Sequence, residues 1–266
     1  MPHAVQPGCR LNYRVDGNPR GAPILFSNSL GTTHELWRPQ VDALSSKFRI
    51  IRYDTRGHGA SDAPRGEYTI EQLGLDAIAI LDAAGVERAH VCGLSLGGLT
   101  AMWLGVNAPG RVHSLILSST AARIGSAAMW SERIAQVNAT GVASLADAAM
   151  GRWFTAGYHA THPDVVAIYH RMLAATSSAG YVGCCAALRD ADLREAIKAV
   201  TAPTLVIAGR EDPVTPPSDA DDMGARIGGA RVEILDAAHA ANVEQAQAYN
   251  DVISSFITQH SRSVNG

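Results

Sequence analysis

The stretch 89-AHVCGLSLGGL-99 decides how this chain is read. Val91 and Cys92 close a buried strand, and Leu99, Ala101, Met102 and Leu104 belong to the helix that follows. Between them stands Gly93-Leu94-Ser95-Leu96-Gly97, the pattern G-x-S-x-G. A strand that turns this sharply into a helix holds its central residue in a strained conformation and leaves the hydroxyl exposed above the sheet. Glycine is needed on both flanks because side chains there would collide with the neighbouring strand and helix. An ordinary glycine-rich turn can carry the same letters, but the position between strand and helix favours a nucleophile at Ser95. A lone serine is a weak nucleophile, so the rest of the chain must supply a base.

Outward from this turn, strands and helices alternate. CRLNYRV (9–15), PILFSN (23–28), FRIIRYD (48–54), AHVCGL (89–94), SLILSS (114–119), TLVIAG (204–209) and VEILD (232–236) read as strands. Ile70, Leu73, Ala77, Leu81 and Ala84 share one face of a helix that Gly85 stops. A final helix carries Tyr249, Val252, Ile253, Phe256 and Ile257 on one stripe. Apolar strands separated by helices imply an α/β fold with a mostly parallel sheet of about eight strands, covered on both faces. The rhythm breaks between Arg123 and Leu193, where short helical patterns carry Trp130, Trp153, Tyr158, Tyr169 and Tyr181. One irregular loop of that length is uncommon in a compact domain, so 123–193 is expected to be a helical cap inserted into a core made of 1–122 and 194–266.

Composition narrows the partners. The chain has 266 residues and 47% hydrophobic residues, enough for one large domain with a sizeable core. A net charge of −3 without a basic cluster argues against nucleic acid or an anionic membrane as partner. No apolar run reaches membrane-spanning length, and the first residues, MPHAVQPGCRLNY, lack the charged-then-apolar order of a signal segment. Cys9, Cys92, Cys184 and Cys185 have neither disulfide-framework nor zinc spacing and read as reduced, buried thiols. These features point to a cytoplasmic protein. No metal-ligand set, dinucleotide-binding glycine pattern or phosphate loop is present, so neither metal nor cofactor is expected. The sequence does not define an oligomeric state.

The partners of a serine on such a turn follow it in the order serine, acid, histidine, each on a loop after a later strand. Asp212 lies just past TLVIAG, in REDPVTPP, and His239 just past VEILD, in AAHAANVEQ. Glu211 and Asp236 are rival acids, and Asp212 has the alternative role of capping the helix near Pro216. Among ten histidines, only His239 sits on a late post-strand loop. The negative oxygen formed by serine attack needs two preorganised N–H donors. Leu96, next after the nucleophile, offers one from its backbone; Leu30, in the sharp turn NSLGTT, offers the other. The charge-rich segment RYDTRGHGASDAP (52–64) reads as a structural turn locked by hydrogen bonds rather than as a site.

With these pieces placed, the chain resembles an α/β-hydrolase, and more closely the 3-oxoadipate enol-lactonase family. The resemblance rests on SNSLGTTHELW, YDTRGHGASDAP, CGLSLGGLTAMWLG, TAARIG, GRWFTAGY, GYVGCCAALRDADLR, PTLVIAGREDPVTPP and AAHAANVEQ. The cap phrase GCCAALRDADLR and the SNSLGTT loop are its specific parts. Many relatives of this fold carry His-Gly where this chain has Asn28-Ser29, and the family has proline where Ala246 stands. The resemblance implies a small-molecule substrate, a five-membered enol-lactone with an acetate arm, opened by water without a cofactor. That arm is a carboxylate, so an acidic protein needs a local cation to hold it, and the planar fork of arginine suits the purpose. The insertion offers Arg123, Arg133, Arg152, Arg171 and Arg189. Trp130 and Arg133 are three apart and share a helical face, which makes them the favoured substrate contacts; Trp153 is a weaker candidate. A broad carboxylesterase or perhydrolase using the same three residues stays open as an alternative, as does a receptor that only binds.

Overall fold

The strands form in the order the sequence suggests, with one addition. In the computed structural model, which describes residues 2–261, they are β1 (His3–Gln6), β2 (Cys9–Gly17), β3 (Pro23–Ser27), β4 (Arg49–Tyr53), β5 (Ala89–Leu94), β6 (Val112–Ser118), β7 (Thr204–Gly209) and β8 (Arg231–Leu235). They make one eight-stranded sheet in the order β1-β2-β4-β3-β5-β6-β7-β8. β1 is antiparallel to β2 and β2 to β4; every other neighbouring pair is parallel. β5 and β7 are buried at every residue, as central parallel strands covered by helices must be. β8 is an edge strand and only half-buried; it ends at Leu235, so Asp236 lies just outside it.

Helices α1 (Arg38–Leu44), α2 (Ile70–Ala83), α3 (Leu96–Asn107), α9 (Pro217–Arg226), α10 (Ala241–Glu244) and α11 (Ala246–Ser261) belong to the core. α2 begins with a reciprocal capping box between Thr69 and Gln72 and buries Leu73, Ala77, Ile80 and Leu81. α3 buries Leu99, Met102 and Leu104, and α11 buries Tyr249, Ile253, Phe256 and Ile257. Truncating any one of these leucines to alanine would cost about 2–5 kcal/mol.

Five helices separate β6 from β7: α4 (Ala127–Thr140), α5 (Ala146–Trp153), α6 (Ala156–Thr161), α7 (Pro163–Ala174) and α8 (Ser178–Asp190). Hydroxyl residues cap three helices of this segment: Ser126, Thr155 and Ser177 each do so with a side-chain oxygen. α4 packs along α8 and α5 along α7, around Val137, Tyr169, Leu173, Cys184 and Cys185. Its two ends meet where Leu193 N–H donates to the Ala122 carbonyl at 2.8 Å. All four cysteines are free and buried. Among the described residues, no helix is long and apolar enough to cross a membrane.

Candidate active site

The turn at Ser95 is strained and tightly enclosed. β5 runs straight into α3, and Ser95 between them has φ 57° and ψ −114°. Ser95 and Ser119 are the non-glycine residues with positive φ among those described. A Cβ at Gly93 would lie 2.0 Å from the Gly97 carbonyl oxygen, and one at Gly97 would lie 2.1 Å from that of Ser27. Only hydrogen fits at either place. The Ser95 backbone is fixed on both sides: its N–H donates to the Ser118 carbonyl at 3.0 Å, and Thr120 Oγ1 donates to its carbonyl at 2.8 Å. The expectation of an exposed hydroxyl needs correcting. Ser95 is only 7% exposed because the cap helices roof the strand ends.

Asp212 and His239 meet from separate loops. His239 Nδ1 lies 2.7 Å from Asp212 Oδ2. A carboxylate can only accept, so the proton between them sits on Nδ1. Asp212 Oδ1 accepts the N–H groups of Val214 and Thr215 at 2.8 and 3.1 Å, and the Thr215 hydroxyl donates to Oδ2 at 2.8 Å. Burial pushes this carboxyl up, but His239 and these donors outweigh burial and hold it below its ordinary value. Asp212 does not cap α9, whose N-cap, Pro216, makes no side-chain bond. Glu211 and Asp236 are exposed, and Asp236 is taken up by Arg210 at 2.6 Å. The His239 loop is tied to the cap, since Ala240 N–H donates to the Trp153 carbonyl at 2.8 Å. Glu244 accepts the N–H groups of both Ala238 and Thr155.

Ser95 and His239 line one cavity of about 240 Å³. Ser29, Leu30, Pro213 and Val214 complete its core side; Met129, Trp130, Arg133, Arg152, Trp153, Leu173 and Tyr181 form its cap side. Leu30 occupies a tight turn in which Thr32 N–H bonds the Ser29 carbonyl at 3.2 Å, leaving the Leu30 N–H outside that bond. Leu96 is the first residue of α3, so its N–H has no partner within the helix. Trp130, Arg133 and Trp153, named from the sequence, therefore all reach the cavity. Arg123 does not: it pairs with Asp192 at the neck of the cap. Arg189 pairs with Glu67 and Asp190, and Arg171 lies in a groove on the outer cap surface.

Sequence reasoning named Arg152 only as one of five cap arginines and Tyr181 only as a cap aromatic, and singled out neither as a substrate contact. The signal for Arg152 was its place beside Trp153 in GRWF. Among the described residues, no carboxylate lies within ion-pair distance of Arg133 or Arg152. Burial and then the Arg133 charge both lower the Arg152 pKa. Burial pushes the Tyr181 hydroxyl up to about 12 although both guanidiniums pull it down. Two like charges without a carboxylate partner, in a partly desolvated cavity, can attract an anion. No group of three or more His, Cys, Asp or Glu side chains among the described residues is arranged to hold a metal ion.

A parallel sheet with a strained serine turn, an acid–histidine pair on later loops and a helical cap defines the class, and the chain belongs to the α/β-hydrolase fold family, whose model matches residues 22–246. Within that class it groups with enol-lactonases. It is 42% identical over 247 residues to 3-oxoadipate enol-lactonase 2 of Acinetobacter baylyi, covering 93% of this chain and 92% of that protein. The same organism's 3-oxoadipate enol-lactonase 1 is 40% identical over 250 residues, 94% of each chain. The crystal structure of the enol-lactonase from Burkholderia xenovorans superposes with a TM-score of 0.94 at 42% identity, covering 97% of this chain and 100% of that one.

Proposed function

We propose that this protein is a carboxylic ester hydrolase that opens 3-oxoadipate enol-lactone to 3-oxoadipate, a step in aromatic catabolism. One observation carries the choice of substrate: Arg133 and Arg152 face the cavity of Ser95 and His239 without a counter-charge, in a chain over 40% identical to a 3-oxoadipate enol-lactonase. The lactone's acetate arm supplies the missing charge, and Trp130 and Trp153 wall the ring.

His239 Nε2 takes the proton of the Ser95 hydroxyl while Asp212 holds the imidazole in the required tautomer and stabilises its charged form. Ser95 Oγ bonds to the lactone carbonyl carbon, and the carbonyl oxygen becomes an anion held by the N–H groups of Leu96 and Leu30. The ring C–O bond breaks. Its electron pair leaves as an enolate, a better leaving group than an alkoxide, which becomes the ketone by taking up one proton as His239 gives up the one it took from Ser95. His239 then draws a proton from water, whose oxygen attacks the acyl-serine, and Ser95 leaves with the proton returned. Water is the only co-reactant.

The test is an ultraviolet assay of enol-lactone consumption by the purified protein, run beside an uncharged chromogenic ester. Saturable loss of the lactone, at a kcat/KM well above that for the ester, is the expected result. A preference for the uncharged ester would make the protein a broad carboxylesterase. Binding without turnover of either would make it a receptor.

A further inference from the structure

The segment 52–64 plays no part in the chemistry described above, yet one of its side chains reaches the oxyanion turn. His58 Nε2 accepts the Gly31 N–H at 2.9 Å. A backbone N–H can only donate, so Nε2 is bare and the ring proton sits on Nδ1. That proton is donated to the Arg56 carbonyl at 3.1 Å. The two contacts demand the same tautomer, and His58 is buried at 1% exposure. Burial also lowers its pKa, which keeps the ring neutral.

The contact falls on a turn that the Thr32 hydroxyl, donating to the Ser29 carbonyl at 2.7 Å, and the Thr176 hydroxyl, donating to the Gly31 carbonyl at 3.4 Å, also hold. Gly31 has φ 78°, Leu30 is not among the positive-φ residues, and Thr32 N–H bonds the Ser29 carbonyl. This combination is a type II turn with Leu30 and Gly31 at its centre. The central peptide of such a turn, made of the Leu30 carbonyl and the Gly31 N–H, can rotate toward the type I form unless something holds it; the Leu30 N–H sits on the peptide before it and keeps its direction only while the turn as a whole is fixed. His58 holds the Gly31 N–H from the core side. From the cap side, Leu173 crowds Gly31 so closely that a Cβ there would lie 2.2 Å from Leu173 Cδ1. The anchor itself is rigid. Arg56 forks onto Asp76 through two 2.6 Å bonds, and His58 N–H donates to the Thr55 carbonyl at 2.9 Å.

We propose that His58 is a positioning residue for the oxyanion turn: by accepting the Gly31 N–H, it fixes the 29–32 turn so that the Leu30 N–H is presented to the cavity of Ser95. The proposal rests on the hydrolase reading with Leu30 as a donor. It does not depend on which ester is the natural substrate.

Two amide substitutions separate positioning from mere packing. His58→Gln keeps an acceptor at the place of Nε2 and loses the donor at Nδ1. His58→Asn does the reverse. Both are polar, both leave space, and thermal unfolding checks that both fold. With p-nitrophenyl acetate as substrate, His58→Asn should lower kcat by about 10- to 100-fold, less than the loss of an oxyanion donor itself, with KM within about twofold. The Ki of phenylboronic acid, whose tetrahedral adduct on Ser95 places an oxygen in the same site, should rise by a similar factor. His58→Gln should keep kcat within about threefold of wild type. Amide exchange at Gly31 should quicken in the Asn variant and not in the Gln variant. Equal kcat in the two variants would overturn the proposal. So would a fall in kcat with no change in phenylboronic acid affinity. Consumption of p-nitrophenyl acetate but not of the enol-lactone by wild type would overturn the substrate assignment alone and leave this result standing.

Discussion

The core and the cap build their halves of the cavity in different ways. On the core side, Ser95, Asp212 and His239 stand just past strand ends; backbone groups fix Ser95 and Asp212, and Asp212 in turn holds His239. Ser95 is held by Ser118 and Thr120, and Asp212 by Val214 and Thr215. On the cap side, Trp130, Arg133, Arg152 and Trp153 project from α4 and α5, and the two arginines have no carboxylate among the described residues to hold them. A rigid half is suited to chemistry common to all esters, and a half carrying unpaired charge is suited to choosing among them. Core substitutions should therefore abolish turnover of every ester, and cap substitutions should change which ester is turned over.

The largest effect should come from Ser95. Ser95→Ala removes one oxygen from a turn whose backbone stays bonded, so thermal unfolding should change little. Turnover of the lactone and of an uncharged ester should fall together, by about 10⁴-fold or more. A variant that still turned over one of the two would break the division between core and cap.

Asp212→Asn comes next. The amide leaves the volume unchanged but offers a donor or a weaker acceptor to His239 Nδ1, and the imidazole loses its tautomer and its counter-charge. The expected cost is about 10⁴ in kcat on both esters. Glu211→Gln, one residue away but exposed, should stay within about twofold. The reverse ranking would mean that the pairing of Asp212 with His239 is structural.

These core residues were legible in the sequence because they depend on local order. A strand, a Gly-x-Ser-x-Gly turn and two later strand ends suffice to name Ser95, Asp212 and His239, and their loops are short. β1 was not legible: HAVQ is four residues long, and Val5 at the sheet edge is 75% exposed, so no burial pattern marks it. Of the five cap arginines, only Arg133 was singled out, by its helical spacing from Trp130. Which of them face the cavity is decided by partners far along the chain. Arg123 meets Asp192 across 69 residues, and Arg189 meets Glu67 across 122. The spacing from Trp130 favoured Arg133, but no shared helical face of that kind set Arg152 apart from Arg123 and Arg189. The role of 52–64 was hidden for the same reason, because the His58–Gly31 contact spans 27 residues.

Arg133→Ala tests the cap side directly. A charge-assisted bond to the acetate arm is worth roughly 1.5–3 kcal/mol, so lactone kcat/KM should drop by about 10- to 100-fold. Hydrolysis of an uncharged ester should change by less than about twofold, since Ser95 and its partners are untouched. Equal losses on the two substrates would mean that Arg133 supports the cap's packing and does not read the carboxylate.

The smallest effect should be that of Arg152→Ala, and its sign on stability is the informative part. In the absence of an anion, Arg152 and Arg133 repel each other, and burial further disfavours the Arg152 charge. Removing it should leave the melting temperature unchanged or slightly raised, because it relieves both the repulsion from Arg133 and the burial of the Arg152 charge. Lactone capture should weaken by about three- to tenfold, less than for Arg133, because the remaining guanidinium can still pair with the arm. The loss should shrink as salt is raised toward 1 M, where the screening length falls to about 3 Å. The double variant should lose more lactone kcat/KM than the two single losses predict, because each arginine compensates for the other only while one is present. Strict additivity would mean that the two guanidiniums act at separate places. A lowered melting temperature for Arg152→Ala would mean that this side chain, like the core residues, is held by the fold, and the contrast between the two halves of the cavity would then end at Arg133.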